Sequence, residues 1–186
     1  MANWASTNYV IEGSKETLQK IEEAIVKAIN TKDNKYEEYK VCDILGVPYE
    51  LGVTSLGGLI EEEPWYDDSG SLHFYAEERW GLQDFNDLLE KKFPDIKIYW
   101  IVEEPGCEVY ATNDKDGKYF PDRFYADTCI NGIYQSEYFT TEEEMYKWLS
   151  ENTNGKIKSL EDAENFNESP DTPKEDFISI HEFEVE

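Results

Sequence analysis

The carboxylates that could do chemistry come in runs: Glu61-Glu62-Glu63, Asp67-Asp68, Glu77-Glu78 and Glu103-Glu104. Acids held close together can raise one another's pKa for acid–base work, or bind a hard cation. If Leu59–Tyr66 and Leu72–Glu78 pair as a hairpin across Asp67-Asp68-Ser69-Gly70, Glu61 or Glu63 falls opposite Glu77. Consecutive residues on a strand point to opposite faces, so the same runs also fit a solvated sheet edge. His73 alternates with Leu72 and Phe74, which puts it on the polar face near the acids, as half of a proton relay or as a plain polar-face residue. Asp114-Lys115-Asp116-Gly117 is spaced like part of a calcium loop. Aligning Gly117 with that loop's glycine puts Arg123 where the chelating acid belongs, which leaves a hairpin turn.

Other catalytic patterns are missing from the sequence. No serine sits in GxSxG, and the glycines of residues 52–58 (GVTSLGG) come without the lysine of a phosphate loop. Cys42, Cys107 and Cys129 form no CxxC pair, and with only His73 and His181 beside them they make no zinc quartet. They read as core or half-buried thiols, and no cofactor is expected. Aromatic residues are more telling. Trp65, Tyr66, Tyr75, Trp80, Tyr99, Tyr110, Tyr119, Phe120, Tyr125, Tyr134 and Tyr138 are too many for one core. On alternating strands about half of them leave the helix-covered side of a sheet. Tyr and Trp ringed by carboxylates suit a protein interface or a groove for a cationic partner; the competing reading is a tail bearing Phe177, Phe183 and Val185 that covers that face.

Charge narrows the function classes. The chain has 42 acidic and 17 basic residues and a net charge of −25. Such a surface repels phosphate backbones and anionic lipid, so direct nucleic-acid binding and membrane binding are disfavoured. No apolar run is long enough to span a bilayer, and Met1-Ala2-Asn3-Trp4 has neither the basic nor the apolar region of a secretory signal. A reduced, cytoplasmic protein is expected.

The elements that must position these residues follow from hydrophobic period. Asn8–Glu12 reads as a strand. Ser14 caps a helix whose Leu18, Ile21, Ile25, Ala28 and Ile29 form one stripe. Tyr36–Leu45 reads as a short helix closed by Gly46. Leu59–Tyr66 is a strand that Pro64 makes an edge or a bulge, and Leu72–Glu78 is the next. Phe85, Leu88, Leu89 and Phe93 recur at helical spacing until Pro94, after which Ile96, Ile98, Trp100 and Val102 alternate up to Glu104-Pro105-Gly106. The order is βαββαβ with one inserted helix: an α+β, ferredoxin-like split-βαβ fold with helices on one face of an antiparallel sheet. The sheet is expected to continue through Glu108–Thr112 and through a hairpin, 123–130 and 133–139, turning at Asn131-Gly132. Thr140 and Thr141 then open a helix carrying Met145, Trp148 and Leu149 inward. One domain is expected over 1–154. Residues 155–186 are expected to be an acidic linker (Lys156–Lys174, solvated) and a possible terminal edge strand from Phe177.

Three features together resemble an uncharacterised phage- and plasmid-borne family with a ferredoxin-like domain, the YubB type. They are the opening Met1-Ala2-Asn3-Trp4 with Asn8-Tyr9-Val10-Ile11-Glu12-Gly13, the strand end Glu77-Glu78-Arg79-Trp80 with a helix ending Lys92-Phe93-Pro94-Asp95, and the turn Glu103-Glu104-Pro105-Gly106. The resemblance covers roughly residues 1–150 and departs from the family at Gly81-Leu82, where serine and proline are usual. It implies the fold and a mobile-element origin, and carries no activity over.

The preferred functional expectation is a non-enzymatic acidic module that binds a basic protein, in its limiting form a nucleic-acid mimic. Glu61, Glu63, Trp65, Asp67, Glu77 and Trp80 are the candidate binding residues. The alternative is a small-molecule- or cation-dependent enzyme or sensor built on the carboxylate cluster and His73.

Overall fold

A computed structural model describes residues 3–186; Met1 and Ala2, half of the opening motif, lie outside the described residues. The chain is α+β and divides into two compact units between Asp114 and Lys115.

The first unit contains β1 (Trp4–Glu12), α1 (Lys15–Asn30), α2 (Glu37–Leu45), β2 (Gly58–Leu59), β3 (Trp65–Tyr66), β4 (Leu72–Arg79), α3 (Phe85–Lys92), β5 (Lys97–Glu104) and β6 (Val109–Thr112). Its strands run β6-β5-β1-β4-β2, with β3 also on β4, and the pairings are antiparallel. Strand alternation decides which side is covered. Tyr9 lies between Phe74 and Trp100, and Ile11 between Leu72 and Ile98. These residues share one core with Leu18, Ile21, Ile25 and Ala28 of α1, Val41 and Cys42 of α2, and Phe85 and Leu89 of α3. All three helices therefore cover the same face.

Local signals set the helix limits. Ser14 Oγ accepts the Thr17 amide at the start of α1, and Gly46, at φ +63°, ends α2 in the left-handed conformation. Leu59–Tyr66 is not one strand. Leu59 pairs with Glu77 and Trp65 with His73, so two extra residues loop out between them. Pro64, which offers no amide to the ladder, ends that bulge, while Ile60 turns into the core. Glu61, Glu62 and Glu63 are exposed in the loop. The expected pairing of Glu61 or Glu63 with Glu77 does not occur.

The second unit holds β7 (Phe124–Ile130), β8 (Ile133–Phe139), α4 (Glu142–Asn152), α5 (Leu160–Glu168), β9 (Phe177–Glu182) and β10 (Glu184–Val185). The Asn131-Gly132 hairpin forms as expected, with both residues at positive φ. It does not extend the first sheet: β7 is the middle of a separate three-stranded sheet, β8-β7-β9. Phe139, Met145, Leu149, Ile157, Ala163 and Ile178 make that unit's own core. The expected solvated linker is also corrected. Ser159 caps α5 by accepting the Asp162 amide, and Ala163 and Phe166 pack inward. One apolar stripe is enough to hold so acidic a helix.

Candidate functional site

The sequence-singled residues fall at two ends of β4. At one end, the Asp67–Ser71 turn closes through Gly70 N–H to Asp67 O (3.0 Å) and Asp67 N–H to Ser71 O (3.1 Å). Asp67 Oδ1 accepts the amides of Ser69 and Ser71, both at 2.9 Å, and the Ser69 hydroxyl at 2.7 Å. Asp67 Oδ2 lies 3.0 Å from His73 Nε2. The His73 contact, foremost, and these donors hold the Asp67 carboxyl well below the usual range. His73 in turn stacks under Trp65 at 4.1 Å between ring centroids, leaving the indole 56% exposed. Asp67, His73 and Trp65 thus form one braced, outward-facing group.

Glu77 is further along the strand and accepts the Tyr75 hydroxyl. Trp80 follows the strand's last residue at φ +65° and is 59% exposed. At about 3.3 Å per residue, Trp80 is roughly 23 Å from His73. The six candidates therefore form no single site. Trp65 and Asp67 come together with His73. Glu61 and Glu63 stand out on the neighbouring bulge, and Glu77 and Trp80 lie apart.

The most perturbed chemistry is on the covered face. In β4, Leu72, Phe74, Ala76 and Glu78 share the buried side, and Glu78 pairs with Ala5. Glu38, on the inward face of α2 with Val41 and Cys42, meets it there; both carboxyls are fully buried. Gly58 is opposite Glu78 in β2, and a Cβ on Gly58 would collide with the Glu38 carboxyl. The missing side chain is the space that the Glu38 carboxyl fills, accepting the Gly58 amide at 2.8 Å. Glu78 accepts the hydroxyls of Thr7 and Tyr9, the latter at 2.7 Å.

The two buried carboxyls act on each other's charge. Burial, then the Glu78 charge, pushes Glu38 well above its ordinary 4.5; burial raises Glu78 too, but its donors pull back down. Glu38 is therefore the partner that keeps the proton. Burial and the Glu78 charge also drive the Tyr9 phenol up. Cys42 nearby is pushed up to about 12, first by burial and then by Glu38, which leaves an unreactive thiol. Cys107, expected to be at least half-buried, is exposed and accepts from Asn3 Nδ2.

A proton-sharing acid pair is the arrangement of an acid–base catalyst, but these two groups have no accessible surface through which to meet a substrate. Among the described residues, no group of three or more His, Cys, Asp or Glu is placed to hold a metal ion. No family profile, no curated protein and no solved structure matches this chain. Glu78 was legible in the sequence, two residues on from Ala76 in a strict alternation. Glu38 was legible as well, three and four residues before the apolar Val41 and Cys42. The candidates named from the sequence include Glu78 only within the Glu77-Glu78 run and do not include Glu38.

Proposed function

We propose that this chain is a non-enzymatic, acidic protein-binding module that engages a basic protein. The observation that carries this reading is Trp65. It is a large exposed aromatic, fixed from below by His73 and Asp67 and flanked by the exposed Glu61, Glu62 and Glu63. A pre-oriented indole inside a ring of negative charge suits a lysine or arginine surface, through cation–π attraction and low ordering cost. The net charge of −25 favours encounter with such a partner over nucleic acid or an anionic membrane. Among the described residues, no helix is long and apolar enough to cross a membrane. A cytoplasmic, mobile-element protein of the YubB type, in the limit mimicking nucleic acid to occupy a host DNA-binding protein, is the setting this reading fits. The strand order β5-β1-β4-β2, with α1 and α3 as crossovers on one face, supports the ferredoxin-like form of the framework.

Affinity capture with the full chain at low salt, elution by rising salt, and remeasurement with the purified partner test this reading. A stoichiometric basic protein whose affinity falls steeply with salt, and falls about tenfold for Trp65→Ala, is the expected outcome. Salt-insensitive retention, or equal retention by Trp65→Ala, would overturn it.

A further inference from the structure

The strand β8 is an edge without protection. Among the described residues it pairs with β7 on one side and with no strand on the other. Six of its seven residues are exposed, Ile133 at 63% and Tyr134 at 59% among them. Natural sheets blunt such edges with short strands, lysine, proline or a bulge. In the first unit β2 and β3, which flank β4, have two residues each. By contrast β8 runs in unbroken register with β7 and contains neither lysine nor proline. In a chain of net charge −25 its one charged residue is Glu137.

The turn fixes which backbone groups face outward. Asn131 and Gly132, at φ +53° and +74°, form a two-residue turn between Ile130 and Ile133. Such a turn makes its flanking residues a hydrogen-bonded pair, and bonding alternates along the ladder from there. The amides and carbonyls of Tyr134, Ser136 and Tyr138 therefore point away from β7. Accordingly, the Tyr138 amide donates to the carboxylate of its own neighbour Glu137, at 3.2 Å. The side chains of Tyr134 and Tyr138 flank Tyr125, the first at 3.3 Å between hydroxyls and the second at 4.8 Å between ring centroids. Strand alternation places these three rings opposite the face where Ala126 and Phe139 meet the helices.

We propose that β8 is the interface of a homodimer, in which a second copy of the chain adds its own β8 antiparallel about a two-fold axis at Ser136. In that register Tyr134 meets Tyr138 of the second copy, Gln135 meets Glu137, and Ile133 meets Phe139. Every outward amide and carbonyl finds a partner, aromatic faces aromatic, and no acid stands opposite an acid. Centring the axis on Gln135 sets Ile133 against Glu137, and centring it on Glu137 sets the two carboxylates against each other. A second copy is the occupant because the edge is complementary to itself, while its single charge offers a basic segment little to bind. The inference is independent of the basic-partner reading, and its salt dependence has the opposite sign. Two copies at −25 each repel, so they associate more tightly as salt screens them.

Sedimentation equilibrium of the full chain up to about 1 mM tests this, under reductant because Cys107 is exposed. The expected result is a reversible passage from 21.7 kDa to twice that mass, tightening as salt rises. Amide exchange should slow on association at Tyr134, Ser136 and Tyr138 and stay unchanged at Gln135 and Glu137. Ser136→Pro removes an outward amide while leaving the ladder to β7 intact, and should abolish the dimer; circular dichroism reports whether it is folded. Gln135→Glu, an exposed substitution, sets a carboxylate against Glu137 on both sides of the axis and should weaken association about fivefold. Adding Glu137→Lys to it places opposite charges there and should restore the dimer. A monomer at every concentration, a dimer with unchanged exchange along β8, or equal association of wild type and Gln135→Glu would overturn the proposal.

Discussion

Asp67 and Glu38 are carboxylates of the same unit, bonded to or beside the same strand, and they are driven in opposite directions. Asp67 lies at a half-open turn among donors supplied by Ser69, Ser71 and His73, and its charged form is favoured. Glu38 is closed between α2, β2 and β4 with a second carboxyl as neighbour, and its neutral form is favoured. Residue type explains neither. The number of donors aimed at each group, set against the water withdrawn from it, decides which form wins. The open carboxylate braces the His73 ring under an exposed indole, whereas the buried one ties a helix to the sheet.

The contrast can be broken most strongly at Gly58. Gly58→Ala would drive a methyl group into the Glu38 carboxyl, whose Oε1, Cδ and Cγ are the nearest atoms to a Cβ there. A loss of about 3 kcal/mol in urea-unfolding stability is expected, from overpacking plus the displaced buried acid. A loss within the range of an ordinary surface substitution would show that Glu38 is not held there.

Glu38→Gln sharpens the comparison. Because folding raises Glu38 above its ordinary 4.5, the folded state holds the extra proton between that value and the raised one. Stability attributable to Glu38 is therefore complete below about 4.5 and drains as pH rises through the raised value, by about 1.4 kcal/mol per pH unit crossed. Glutamine matches the carboxyl in shape and has no proton to lose. Wild type and variant should match in acid and separate above it, with the variant the more stable in pH-resolved unfolding. Parallel curves would remove Glu38 as the proton holder.

Asp67→Asn should give the smallest change, and with the opposite sign. Folding lowers Asp67 below its ordinary 3.8, so its contribution is present above that value and disappears as pH falls. The variant should be slightly less stable than wild type near neutrality and equal to it in strong acid. Its clearer mark should be a looser Trp65–His73 stack, read from indole fluorescence quenching. A Trp65 signal unmoved by the substitution would mean that Asp67 does not brace the indole.

Much of the framework could be read directly. Ser14 and Gly46 bounded their helices because capping oxygens and left-handed glycines act within a few residues. Asn131-Gly132 placed its hairpin for the same local reason. What failed depended on distant partners. Leu59–Tyr66 had the composition of a strand, but β4 pairs with only its two ends and leaves Glu61–Glu63 in a bulge. The hairpin after residue 123 had no local mark to say which sheet it joins, and the segment at 160–168 looked solvated because only Ala163 and Phe166 pack inward.

The candidate sites divide in the same way. Sequence alone determined the periodicity, the caps, the turns and the surplus of negative charge, all of which come from neighbours in the chain. Tertiary structure decided that Glu38 and Glu78, among 42 acids, meet and lose their water together. Glu38 and Glu78 are forty positions apart and meet only because Gly58 leaves the room between them. The free energy of a charge is set by the solvent and donors around it, and those are chosen by the fold.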